Sequence, residues 1–521
     1  MATVVALLSL LACGGPAPLP AGDPARPDVV LVSIDTLRAD HLGSYGYTRP
    51  TSPFIDSLAA GGTRYGAARS ASPWTLPSHT TMLSGLLPST HHVVEDNLSL
   101  SAATPVLAER MRAAGYATAG VVSTLYVSSI YGFDRGFDHF EDFGIHAEKQ
   151  NLQNQVVAAG VIDDALAWMR KQAPGKPVFL FLHFYDVHYQ YEPPAPYDTR
   201  FDRAPVDSDA RYKNYHFHKT RKGRIDAAQM AHQVAQYDEE IAYVDDQLRR
   251  LSDTMAGRQT LWVVTADHGE ELGERGSWGH AHTLYQEQLH VPLIVAGPGV
   301  VPGQVYDQPV GTQDIAPTLA TLVGQPIAAD GIDLGPSLRG AAPPPTGRLF
   351  PAETTRFDTN RLSAYRDGLR LEWDLPSGRR ELFAHDSDPL EKRDLLADRP
   401  EDAAALQGAL LGLLGAPWTA VAAGVVETSG VLLPTAQRGP AGVAAGQRFL
   451  VLPYDAPVTL RAPDGQLAGP FQLVGGDLPG AGGPLRLDGA AATGKVALDE
   501  QTRRQLEALG YLQDPAAEPA P

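Results

Sequence analysis

The sequence predicts an α/β fold: a mostly parallel central sheet with helices on both faces, plus a smaller C-terminal subdomain built on an antiparallel sheet. Three observations carry this. Apolar, β-branched runs near 28–34, 116–122, 178–184, 260–265 and 290–296 alternate with helical patterns, and such runs read as parallel strands buried on both faces. Two of these runs end on an aspartate, Asp35 and Asp267, at the carboxyl edge where open α/β sheets place their ligands. Past Pro343-Pro344-Pro345 the texture changes to short alternating strands, from Arg361 to Arg370 and at Glu381-Leu382-Phe383.

With 521 residues, 43% hydrophobic and 20% charged, the chain can bury one large core and a smaller one. We divide it into an N-terminal segment (1–25), an α/β part (26–340) and a C-terminal subdomain (341–521) with a β-rich insertion at about 418–495. The formal net charge of -18 argues against nucleic acid or an anionic membrane as a bulk electrostatic partner. No run of about twenty apolar residues occurs in the body, so no spanning helix is expected there.

In chain order, the small, apolar residues 2–12 lead into Leu10-Leu11-Ala12-Cys13-Gly14, which resembles a bacterial lipoprotein signal with Cys13 as the lipidated residue. That implies a lipid-anchored protein of the bacterial cell envelope, periplasmic or on the outer surface. Residues 14–26, rich in Pro, Ala and Gly, read as a tether. A single cysteine excludes an intrachain disulfide framework.

The chemistry centres on Ser72-Pro73-Trp74-Thr75-Leu76-Pro77-Ser78-His79. Pro77 suits a first helical position and residues 80–87 continue the helix, so Thr75 falls just before a positive helix end. A hydroxyl there is placed to attack a tetrahedral anionic centre. Taken alone, it is more often an ordinary cap. Its company decides: Asp35, Asp267 and His268, brought to one sheet edge, suit a divalent cation that holds an oxyanion and lowers the pKa of a bound hydroxyl. Calcium, manganese and zinc all suit such ligands.

Farther along, Thr104-Pro105 opens a helix that Gly115 closes, and residues 156–171 form another. The strand at 178–184 carries His183, read as core, and delivers Asp186 and His188. Residues 193–224 read as a long surface loop with the one basic cluster of an acidic chain. Residues 229–251 form a long amphipathic helix whose acidic residues are read as its solvated face. His280 and His282 alternate as on an extended segment, so only one of them readily faces the site, and His280 is favoured. Asp314-Ile315-Ala316-Pro317 opens a helix ending near Gly324.

The segments 32–43, 72–88, 132–138, 183–188, 237–251, 265–270 and 284–295, including Ser33-Ile34-Asp35-Thr36-Leu37-Arg38 and Thr265-Ala266-Asp267-His268-Gly269-Glu270, resemble the sulfatase branch of the alkaline phosphatase superfamily. The resemblance runs in order over roughly residues 26 to 395. It implies one divalent cation held by Asp35, Asp267 and His268, which also binds Thr75 Oγ. It further implies His188 and His280 near the substrate anion, with His282 as the alternative to His280 and Asn97 as an oxyanion-binding residue. One departure lies at the centre. Sulfatases of the usual type have Cys or Ser, any residue, Pro, Ser and Arg, with the first residue oxidised to formylglycine; this chain has Thr75 and His79. Thr-x-Pro-x-His resembles instead the nucleophile loop of the superfamily's nucleotide pyrophosphatase/phosphodiesterases. A metal-dependent hydrolase or transferase acting through Thr75 on phosphoesters or phosphodiesters is therefore favoured, with His79, His188 and His280 in the catalytic set. The alternatives are a sulfuric ester hydrolase for a sulfated glycan or aryl sulfate, and a catalytically inactive glycan-binding lipoprotein. The implied partner is a small anionic ester or glycan, with membrane contact only through the N-terminal lipid; the residues set no oligomeric state.

Overall fold

A computed structural model of the chain describes residues 18–143, 158–203, 227–356, 359–385 and 387–414, with short strand segments between 418 and 496. Cys13, most of the basic loop and the helix expected over 498–512 lie outside the described residues.

The centre is a nine-stranded sheet. Its strands are β1 (Asp28–Ile34), β2 (Thr63–Arg69), β3 (Ala117–Val121), β4 (His139–Glu141), β5 (Val178–Phe184), β6 (Thr260–Thr265), β7 (His290–Ala296), β8 (Gln304–Tyr306) and β9 (Val310–Gly311). They run in the order β8-β2-β7-β6-β1-β5-β3-β4, with β9 also on β2. All neighbours are parallel except β7, which runs antiparallel to both β6 and β2. Every residue of β1 and β5 is buried, which is why neither shows the alternation of a half-exposed strand. Around the sheet lie α1 (Pro53–Gly61), α2 (Thr75–Ser84), α3 (Leu107–Ala113), α4 (Ala158–Met169), α5 (Ala227–Thr254) and α6 (Ile315–Leu322). The register sets Ser33 beside both His183 and Thr265, so the residues that follow β1, β5 and β6 emerge together at one edge.

A separate antiparallel sheet follows, formed by Phe350–Thr354, Arg361–Arg366, Leu369–Asp374 and Arg380–Ala384. The helix α7 (Pro400–Leu414) covers it, packing Leu406, Leu410 and Leu414 against Leu362, Leu371, Trp373 and Leu382. Farther on, Gly424–Thr428 pairs with Ala441–Val443 and Val458–Arg461. Thr493–Lys495 returns to pair with Leu98–Leu100 of the α/β part. No helix among the described residues is long and apolar enough to cross a membrane.

The acidic residues of α5 overturn their sequence reading as a solvated face: Asp238, Glu239, Glu240 and Asp245 are all buried. Each grips a loop. Asp238 accepts from His41 Nδ1 at 2.7 Å, the Tyr47 hydroxyl at 2.6 Å and Arg49 Nη1 at 2.7 Å. Glu240 accepts from the backbone N–H groups of Val187 and Glu192 at 2.9 and 2.6 Å, and Glu239 from those of Phe201 and Asp202 at 2.7 and 3.1 Å. Asp245 takes the N–H groups of Phe54 and Ile55 at 2.9 and 2.8 Å, capping the first turn of α1 from outside. A solvated acid would tolerate alanine almost without cost. We expect Asp238→Ala instead to lower stability by about 3 kcal/mol, because His41, Tyr47 and Arg49 lose their shared acceptor. The midpoint of urea unfolding measures this, and a shift below about 0.5 kcal/mol would return Asp238 to the surface class.

Candidate active site

The helix α2 begins at Thr75 itself, with Trp74 as an extended N-cap (φ -153°, ψ 159°). Pro77 therefore sits within the first turn rather than at its first position. It costs no hydrogen bond there, since first-turn N–H groups have no acceptor inside the helix. All ten residues of α2 are buried. Ser78 Oγ ties the turn to the loop before it through the carbonyls of Ser72 and Trp74, at 2.9 and 2.7 Å.

His79 lies behind Thr75. The carbonyl of Thr75 can only accept, so His79 Nδ1 donates to it at 2.9 Å, which leaves Nε2 to accept from the Ser33 hydroxyl at 2.9 Å. Burial holds this imidazole below its ordinary range, hence neutral. The sequence placed His79 in the catalytic set; its two ring nitrogens fasten the start of α2 to the end of β1, and Nδ1 lies 3.5 Å from Asp267 Oδ2.

Asp35, Asp267 and His268 are fully buried and offer ligand atoms all within 4.8 Å of one another. His268 Nδ1 donates to the carbonyl of Gly269 at 2.9 Å, so the lone pair of Nε2 faces the carboxylates. That nitrogen lies 3.3 Å from Asp267 Oδ2, 3.7 Å from Asp35 Oδ1 and 3.5 Å from Thr75 Oγ1. Asp267 Oδ1 accepts from the N–H groups of His268 at 2.8 Å and Thr36 at 3.3 Å. Both oxygens of Asp35 and Oδ2 of Asp267 have no hydrogen-bond partner. Burial, then the neighbouring Asp267 and Glu270 carboxylates, push the Asp35 carboxyl well above its ordinary range. Three buried oxygens without donors, converging with an imidazole lone pair, fit a divalent cation.

Backbone geometry aims these groups. Thr36 adopts φ 56°, left-handed for a β-branched residue at a cost of about 1–2 kcal/mol. It is held there by its hydroxyl on the Val187 carbonyl (2.8 Å) and by the Tyr237 hydroxyl on its own carbonyl (2.8 Å). After His268 the chain passes so close to its neighbour that a Cβ on Gly269 would lie 2.2 Å from the Glu287 carbonyl oxygen, so only glycine fits.

His280 and His188 border the cluster. The His280 ring lies 4.5 Å from that of His268 and 4.9 Å from that of His188, centre to centre. His280 Nδ1 donates to Glu270 Oε1 at 3.0 Å, and the Tyr191 hydroxyl donates to Glu270 Oε2 at 2.5 Å. Glu270 is fully buried, and burial raises its pKa. His188 Nδ1 bonds to the Tyr189 carbonyl, and burial lowers its pKa to about 3. His183 is buried beneath, with Nε2 3.5 Å from Asp35 Oδ2. His282 turns the other way, to Ser277 Oγ at 2.9 Å and Glu271 Oε2 at 3.3 Å. Burial opposes its charge, yet the hydrogen bond and charge of Glu271 hold its pKa above the ordinary value.

Asn97 is not brought into the cluster. It is exposed, and its carbonyl accepts from Val496 N at 2.8 Å. Its neighbour Asp96 is bonded to Arg356, whose guanidinium lies 4.2 Å above the ring of Trp74, the residue before Thr75. Glu270 and Tyr191 escaped the sequence reading. Glu270 stands in the same short stretch as His268, but its part depends on a hairpin, Glu271–Leu272 with Trp278–Gly279, that returns His280 to it.

The fold and the buried acid–imidazole cluster define an ester hydrolase of the metal-using kind. The chain belongs to the sulfatase family, whose model, described as Sulfatase, matches residues 27–325. It is similar to the choline-sulfatase of Rhizobium meliloti (strain 1021), at 24% identity over 442 residues, 72% of this chain and 83% of that protein. It is also similar to the arylsulfatase of Clostridium perfringens (strain 13 / Type A), at 23% identity over 59% of this chain and 78% of the relative. Among solved structures, the phosphonate monoester hydrolase from Silicibacter pomeroyi aligns with a TM-score of 0.62 at 23% identity, over 74% of this chain and 95% of that one. A protein solved in complex with its substrate D-glucosamine-2-N,6-O-disulfate aligns with a TM-score of 0.63 at 17% identity, over 74% and 97%. These likenesses establish the fold.

Removing a ligand is expected to remove the ion while leaving the fold. Asp267→Ala should drop bound divalent metal, measured by elemental analysis, from near stoichiometric to background. Its far-ultraviolet circular dichroism should match the wild type. Wild-type metal content in that variant would dissociate the cluster from cation binding.

Proposed function

We propose that this chain is a two-step phosphoryl-transfer enzyme that works through Thr75 and prefers phosphate monoesters or diesters to sulfate esters. The observation that carries the reading is a threonine hydroxyl at the first residue of α2, 3.5 Å from His268 Nε2 and next to three carboxylate oxygens of Asp35 and Asp267 that have no hydrogen-bond partner. We take Thr75 to stand at the position that sulfatases of the usual type oxidise to formylglycine.

A divalent cation on Asp35, Asp267 and His268 would supply positive charge for the oxygens of the transferred group and lower the pKa of a hydroxyl beside it. The chain does the rest. Thr75 Oγ attacks phosphorus in line; the Oγ–P bond forms as the bond to the departing oxygen breaks, and the hydroxyl proton ends on the released alcohol. The dipole and free N–H groups at the start of α2 favour the transferred anion. His79 fixes the carbonyl of Thr75 from behind, while Glu270 and Tyr191 hold the ring of His280 over that of His268. Water then attacks phosphorus from the vacated side; the new O–P bond forms as the Oγ–P bond breaks, a water proton returns to Thr75 Oγ, and phosphate leaves, or a phosphate monoester where the substrate was a diester.

Substrate class follows from that second step. A formylglycine hydrate can expel sulfate by collapsing to the aldehyde; a threonine ester has no such exit and needs a second displacement, which phosphoryl centres undergo readily. A sulfuric ester hydrolase is the second reading, supported by the names of the curated relatives. A panel of aryl sulfate, phosphate monoester, phosphodiester and phosphonate esters separates the two. Phosphoester turnover should exceed sulfate turnover, peptide mass spectrometry should find Thr75 unmodified, and Thr75→Ala should lower kcat/KM at least about 10³-fold. Faster cleavage of sulfate than of every phosphoester would establish the second reading.

For location, we infer a lipid-anchored envelope protein from the sequence around Cys13. Several acyl chains hold a protein on a membrane, whereas one does so only marginally. Cys13→Ala is expected to move the protein from the membrane to the soluble fraction; unchanged fractionation would end that reading.

A further inference from the structure

Buried guanidinium groups in this fold come with their carboxylates. Arg38 is paired with Asp40 and Glu274, Arg356 with Asp96, Arg370 with Glu372 and Glu391, and Arg258 with Asp28. Arg69, at the end of β2, departs from this pattern. It is only 3% exposed, and Nε, Nη1 and Nη2 all lack a hydrogen-bond partner. Among the described residues it makes no ion pair.

Imidazoles and an aromatic ring, rather than a paired carboxylate, stand around Arg69. Its guanidinium lies 3.5 Å above the Tyr365 ring, a contact that offsets part of the charge but leaves the in-plane N–H groups unused. The His385 ring lies 5.7 Å from Tyr365 and 6.3 Å from His290, and His385 Nδ1 is buried without a partner. His290 pairs with Arg69 in the sheet and spends Nε2 on the Gly66 carbonyl at 2.9 Å. Burial, then the charge of Arg69, hold both imidazoles below their ordinary range, so neither adds charge. Arg370 nearby is held by Glu372 and Glu391, and Glu391 also supports the charge of Arg69 from a distance. The result is a buried guanidinium whose N–H groups, like His385 Nδ1, meet no acceptor, facing Tyr365 and His385 of the small sheet. Buried donors without an acceptor are costly, and a water there would have to place its own two hydrogens among further donors, whereas an anion only accepts.

We propose that Arg69, with His385 beside it, binds one small monovalent anion, of which chloride is the type, between the central sheet and the C-terminal sheet. The anion accepts from the guanidinium and from His385 Nδ1. It thereby fastens the end of β2, from which Ser70 and Ser72 lead into the Thr75 loop, to Tyr365 and His385. This is a structural site apart from the acid–imidazole cluster, and its occupancy does not depend on which ester the enzyme cleaves.

The test uses the full chain. Protein is exchanged into gluconate and chloride is added at constant ionic strength while the melting temperature is followed. Crystals are soaked in bromide, and anomalous density is sought between Arg69 and His385. Expected are a saturable rise of about 2 °C or more, loss of that rise in Arg69→Met, and a bromide peak at the site. No peak in wild-type crystals, a water in its place, or the same chloride response in Arg69→Met each overturns the proposal. The wild-type bromide result stands even where the variant fails to fold.

Discussion

Everything at the carboxyl edge of the sheet depends on one electrostatic constraint: two carboxylates and an imidazole lone pair are buried within 4.8 Å of one another, with no donor assigned to three of the oxygens. In a low-dielectric interior such groups repel, and the arrangement costs several kcal/mol unless positive charge lies among them. The parallel strands impose the proximity. β1 and β6 lie side by side with both chains running the same way, so the residues after them cannot avoid each other. The left-handed Thr36 and the cramped Gly269 are local consequences of turning the chain away immediately after its ligands.

How much of this was legible in the sequence follows a physical rule. Strands buried on both faces write themselves as unbroken apolar runs, so β1, β5 and β6 could be read directly, and with them the level of Asp35, Asp267 and His268. The mostly parallel sheet and the separate antiparallel sheet are as the alternating runs predict. Long-range pairing writes nothing local. The acids of α5 look like a solvated face because helical periodicity cannot distinguish water from the backbone N–H groups of a loop; Glu240 meets Val187 and Glu192 only after folding. That His79 is tied to Ser33 on the neighbouring strand is likewise written nowhere near it in the chain. Asn97 is exposed while its neighbour Asp96 bonds to Arg356, so one position along the chain decides between solvent and a buried guanidinium.

A common device recurs around the site. Anionic side chains on rigid elements hold irregular backbone: Asp267 takes the N–H groups of Thr36 and His268, Asp245 the first turn of α1, and Glu240 the stretch around His188. Loops that carry catalytic groups have few neighbours of their own to pack against, and charge-assisted hydrogen bonds restrain them without covering them.

The C-terminal sheet reaches into the catalytic part by its first strand. Glu353 N bonds to the Ala71 carbonyl, Ser72 Oγ to the Glu353 carbonyl across 281 positions of chain, and Thr354 Oγ1 to the carbonyl of Ala281. These contacts flank the Thr75 loop on one side and the His280 segment on the other. During synthesis at about 5–20 residues per second, the central strands can pair long before that brace leaves the ribosome. The loop bearing Thr75 therefore acquires its final support late, and a nascent chain holds the sheet well before it holds a competent centre. The order of events in synthesis is thus written into the position of one strand: the sheet comes first, and the fastening of the Thr75 loop comes last.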